Sequence, residues 1–146
     1  MFDIKYEKFT FTVSPFERVV DNDIDPEHHR WDWIKSFVEF SVPGLKAQFQ
    51  TEFTVGELLE LREQFAAHHN ALIAQREIKP FVFQSQCHQL NMIIRKVTGE
   101  EVVIIEYDLR PEAHADSAQV KGDFGINESY FPDILKRLDE MIEWQN

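Results

Sequence analysis

The chain is poor in cysteine, glycine and positive charge, and each shortage removes a class of explanation. A single cysteine, Cys87, in 146 residues cannot build an internal disulfide framework, and it suits a reducing compartment. The five glycines are scattered through turns and strand ends, so no glycine-rich loop is present to cradle a phosphate. Gly-x-Ser-x-Gly and Walker-type patterns are missing as well. Fifteen basic residues stand against 26 acidic ones, a formal charge of −11, which argues against holding nucleic acid or an anionic membrane by bulk electrostatics. Long apolar runs are also lacking. The longest in a strand, Val102–Ile105, falls far short of the roughly 18 residues of a membrane span. No basic segment leads from Met1 into an apolar stretch, so the expected location is cytoplasmic.

What the chain has in quantity is aromatic core material, with 13 phenylalanines and three tryptophans. A length of 146 residues is most simply one domain, residues 1–146, large enough to need neither disulfide nor metal. The organising stretch runs from Trp33 to Ile73. Ile34, Val38, Phe40 and Val42 share one face of a strand, Pro43-Gly44 supplies a tight reversal, and Leu45, Ala47, Phe49, Thr51 and Phe53 alternate along the return strand. Thr54-Val55-Gly56-Glu57 fits a capping box, with Phe53 and Leu58 placed as a hydrophobic staple, so a long helix starts here.

Before this unit, residues 1–14 read as one opening strand, with Phe9, Phe11 and Val13 on one face and Ser14-Pro15 ending it. A connection over residues 15–30 follows, and Lys79-Pro80 closes the helical region. Phe81–Gln84, Leu90–Arg95 and Val102–Leu109 read as further strands, the last apolar on both faces and hence central. Residues 110–117 read as a loop. A final strand spans Ala118 to Ile126, where Gly122 and Gly125 suggest a bulge, and Asn127 caps a closing helix whose buried stripe is Tyr130, Ile134, Leu138, Met141 and Ile142. The predicted fold is α+β and two-layered, with the order βββα-ββββα. It is an antiparallel β-sheet of about six to seven strands with two helices packed on one face. The opposite face, with Lys35, Glu39, Lys46, Gln48, Gln50 and Glu52, is left to solvent or a partner.

Catalytic and metal signatures do not emerge. His28-His29 and His68-His69 are adjacent pairs whose side chains diverge on any regular element, and no His-x₃-His spacing occurs. A metal site would have to be assembled through space, for instance from His28, His88 and an acid, and the expectation is no metal, no cofactor and no catalytic residue. Cys87 has no cationic neighbour to lower its pKa and reads as a half-buried thiol on a strand. The run Asp21-Asn22-Asp23-Ile24-Asp25-Pro26-Glu27 alternates acids as a calcium loop does, but it lacks the central glycine and the distal glutamate. Its first reading is a solvated loop, and the alternative use is a protein-facing surface. Asp21, Asp23, Asp25 and Glu27, with Trp31 as an aromatic anchor, are the candidate partner-binding residues. Trp31 and Trp33 bracket Asp32 on one side of the strand entry, where core packing is the first reading for the pair.

As a whole the pattern resembles the WapI-like family of small bacterial immunity-type proteins. The resemblance rests on the aromatic strand entry Trp31-Asp32-Trp33-Ile34 with its hairpin, on Thr54-Val55-Gly56-Glu57-Leu58 and its helix, and on the hairpin Leu90–Leu109. The closing segment Phe124–Phe131 completes it, over about residues 8 to 143. It implies a non-enzymatic binding protein that neutralises a cognate nuclease-type toxin by occlusion. The partner would be a protein, of the basic kind that an acidic face attracts. It assigns no functional residue. Two other classes stay open: a small-molecule enzyme with titratable groups in a pocket above the sheet, and a homo-oligomeric structural module.

Overall fold

The computed structural model of the chain describes residues 1–113 and 118–146, so 114–117 of the expected loop lie outside the described residues. Four strands come first: β1 (Phe2–Tyr6), β2 (Phe9–Val19), β3 (Trp33–Val42) and β4 (Leu45–Thr54), paired antiparallel in the order β1-β2-β3-β4. The expected opening strand is thus two strands. The apolar parity switches from Phe2 and Ile4 to Phe9, Phe11 and Val13, and a reversal at Glu7-Lys8 pairs Ile4 with Phe11 and Phe2 with Val13 on one buried face. Nor does Pro15 end β2. The register with β3 shifts between Pro15 and Glu17, leaving Phe16 as an extra residue, and a bulge is where a sheet tolerates proline.

After α1 (Val55–Ile73) the chain does not return to this sheet. It builds a second one, β5 (Phe81–Gln84), β6 (Leu90–Lys96), β7 (Val103–Leu109) and β8 (Val120–Ile126), ordered β5-β6-β7-β8. The single sheet of the sequence reading is therefore two four-stranded meanders. Strand periodicity reports which face is buried and not which edge a strand joins, so it cannot separate one eight-stranded sheet from two. β7 is an inner strand of its sheet, as its apolar faces require. The β7–β8 register runs unbroken from Val103–Ile126 to Leu109–Val120, so Gly122 marks no bulge. It is there because the Tyr107 ring and hydroxyl occupy the space a Cβ would need.

Thr54 and Glu57 form the expected capping box, at 3.1 Å from the Glu57 amide to Thr54 Oγ1 and 2.7 Å from the Thr54 amide to Glu57 Oε2. Asn127 caps as well, but it serves a 3₁₀ turn, Glu128–Tyr130, and the closing helix α2 (Phe131–Ile142) follows with Pro132 in its first turn. The helices pack on each other, α2 against β1 and α1 against β4 and β6. Phe65 of α1 is fully buried between Phe2 and Phe131. The sheets meet where Phe9 and Phe40 face Tyr107 and Phe124, with Phe9 and Phe124 ring centroids 4.5 Å apart. Buried residues of both sheets and both helices form one hydrophobic cluster.

Candidate functional site

The acidic segment forms the connection from Val19 to Trp33, and its base is built around one buried ion pair. Arg18 donates from Nε to Asp32 Oδ2 at 3.0 Å, with Nη2 2.9 Å from the same oxygen. Its Nη1 donates to the carbonyls of Ile142 at 2.9 Å and Trp144 at 3.1 Å, closing carbonyls that the end of α2 leaves free. The Asn146 side chain bonds both the amide and the carbonyl of Arg18. Asp32 is 1% exposed and also accepts the Asp21 amide at 2.9 Å. Burial works against its charge. The Asp21 amide, the Arg18 guanidinium and nearby His29 outweigh that penalty, and its carboxyl titrates below the usual range. One node therefore ties the connection to β2, β3 and the segment after α2.

Local bonds then shape the segment. The Asp21 carboxylate accepts the amides of Asp23 and Ile24 at 2.9 and 3.1 Å, an Asx turn. Asp25 and His29 adopt left-handed φ values of 50° and 55°, and the His29 amide donates to the Asp25 carbonyl. On the far side, Arg30 and Asp32 accept the Gly56 and Val55 amides, anchoring the segment to the first turn of α1.

The five candidate residues thus divide. Asp21 is engaged in the turn and Asp25 is half-buried in a strained backbone position, so both shape the loop. Asp23, Glu27 and Trp31 are exposed, and Val19, Val20 and Ile24 of the same stretch also expose apolar side chains. Acids and accessible hydrophobic groups on one segment suit a partner that carries complements to both. Sequence reasoning missed Arg18. The only trace it leaves is an arginine just after an apolar alternation, and the bulge that turns it inward is invisible to a simple count of two.

The other candidates are accounted for individually. Cys87 lies in the β5–β6 connection and not on a strand, and it is buried. Burial first, then the Glu52 and Glu57 charges, push its thiol up, away from nucleophilic use. His68 is fully buried with Nδ1 2.8 Å from the Gln64 carbonyl oxygen, and His69 stacks on Phe131. Among the described residues no group of three or more His, Cys, Asp or Glu side chains is placed to hold a metal. A concavity of about 850 Å³ opens across the outer side of the second sheet. Two of its three carboxylates are engaged, Glu106 by Arg95 at 3.5 Å and Asp108 by Gln119 at 2.9 Å, and Asp123 is the third. Among the described residues no helix is long and apolar enough to cross a membrane.

Compared with known protein families, residues 1–146 match the immunity protein WapI-like family. A comparison with curated proteins gives no match.

Proposed function

Since the chain belongs to the immunity protein WapI-like family, we propose that it is a single-domain, non-enzymatic protein of the cytoplasm. It neutralises one cognate toxin of nuclease type by occluding its active site. Family membership over the whole length is the observation that carries this reading. The chemistry of the surface is consistent with it. A nuclease presents cationic groups to phosphate, and carboxylates such as Asp23 and Glu27 stand in for phosphates while Trp31 and Ile24 exclude water. The formal charge of −11 speeds the approach of a basic domain.

The test looks for a toxin gene adjoining that of this chain, takes the nuclease domain it encodes and follows cleavage of RNA. Equimolar protein abolishes cleavage, and added salt slows association steeply. Asp23→Lys with Glu27→Lys slows association while leaving the fold intact, since neither side chain holds the loop. Undiminished cleavage with excess protein would remove the toxin reading. Unchanged association in the charge-reversed variant would remove the loop from the contact.

A further inference from the structure

The first sheet carries an aromatic feature on the side turned away from the core. The bulge at Pro15–Glu17 sets Phe16 beside Phe37 of β3, with ring centroids 4.5 Å apart and planes tilted by 32°. Neither ring belongs to the buried cluster, and Phe37 is 44% exposed. This side was expected to be polar. In the β2–β3 register, Trp33 stands opposite Val19 and Lys35 opposite Glu17, so a charged pair lies between the Phe16–Phe37 rings and the apolar Trp33–Val19 pair at the start of the acidic connection. Lys35 and Glu17 approach to 3.8 Å.

Two outward aromatics packed against each other leave apolar surface in water, and bulges beside functional sites serve to re-aim a side chain. We propose that this side of the first sheet, centred on Phe16 and Phe37, is a docking surface for the cognate toxin domain. The surface is continuous with the acidic connection. The proposal rests on the toxin-binding reading and deepens it by naming the surface. The charges select the occupant. Glu17, Glu39 and Glu52 surround the pair against Lys35 and Lys46, and the adjoining connection adds four acids against Arg30. A second copy of this chain would bring like charges together; a domain with a basic rim and an apolar centre would not. The rings supply the desolvated centre and the carboxylates the rim.

The experiment measures binding of the same toxin domain to wild type, to Phe16→Ser/Phe37→Ser and to Asp23→Lys/Glu27→Lys, with circular dichroism and light scattering on each protein. The expected result is a loss of about thirtyfold or more for the serine variant, mainly in dissociation rate, with an unchanged fold. The charge-reversed variant loses affinity mainly in association rate. Wild-type affinity in a folded serine variant overturns the surface while the toxin reading stands. Should the single change Phe37→Ser unfold the chain, the rings are structural and the proposal is wrong. No binding by wild type ends both. A wild-type dimer that Phe37→Ser dissociates replaces the toxin with a second copy and overturns the assignment.

Discussion

Replacing Asp32 with asparagine keeps the shape of the side chain and removes its charge, leaving the Arg18 guanidinium buried beside a neutral partner. Breaking a buried pair this way costs about 3–5 kcal/mol. The lower end applies here, because Arg18 still donates to the Ile142 and Trp144 carbonyls and the asparagine oxygen still accepts the Asp21 amide. A loss of about 3 kcal/mol lowers the melting temperature of a chain of this size by roughly 6–12 °C. Urea denaturation gives the global number. Hydrogen exchange at the Asp21, Val55 and Gly56 amides reports whether the connection loosens first. The pH dependence is a second check. Asp32 is depressed in the folded state, so its contribution is fully present above the unfolded carboxyl value of about 3.9 and is lost as pH falls through the lower folded value. The margin of wild type over Asp32→Asn is therefore flat above about pH 5 and narrows in more acidic solution. A loss under about 1 kcal/mol, with exchange at those amides unchanged, would refute the view that this pair organises the connection.

Gly122→Ala costs about 1–3 kcal/mol, because the Tyr107 ring must leave its place between Phe40 and Phe124; thermal melts of the variant measure it. Thr54→Ala removes the cap of α1 and costs about 1 kcal/mol by urea titration, and more would mean that Glu57 also loses its bond to the Gln86 amide. Phe65→Ala opens a cavity between the helices and β1 and costs about 3–5 kcal/mol, read from the same titration. Cys87 in the folded protein reacts with a thiol reagent much more slowly at pH 8 than the same thiol in urea, and equal rates would contradict its buried, acid-flanked setting.

Most of the strands, both helices and most of the core were legible because alternation and capping are local signals, whereas the reversal at Glu7-Lys8 that divides β1 from β2 was not. The capping box at Thr54 and Glu57 needs only four residues to be visible, and Ile34, Val38 and Phe40 declare their face by spacing alone. What escaped depends on partners far along the chain. Whether β5 joins β4 or starts a new sheet is decided by how α1 packs, and no pattern within β5 encodes it. Pro15 was legible as an irregularity but was read as an end. Proline disrupts a ladder equally at a terminus and at a bulge, and only the pairing with β3 tells the two apart. Arg18 and Asp32 come together through that same bulge, together with carbonyls more than a hundred residues away. The exposed acids Asp23 and Glu27 were visible as a run, whereas the engagement of Asp21 in a turn needed its hydrogen bonds.

The bulge in β2 also determines what kinds of change the chain tolerates over time. Upstream of it, Phe11 and Val13 face the core; downstream, Arg18 does, a spacing of five that an even count cannot produce. One extra residue converts the phase of the strand: Phe16 and Glu17 stand on the outer side in succession, and Arg18 turns in. Substitution at position 16 therefore alters a surface and leaves the interior alone. Deletion at the same position leaves an unbroken alternation in which Pro15 and Arg18 keep their partners on β3, so the Arg18–Asp32 pair survives while the outer aromatic pair is lost. Phe16 is therefore held by what it presents outside and not by the interior. A one-residue insertion between Val13 and Arg18 is the damaging change, because it turns Arg18 outward and leaves Asp32 without its cation.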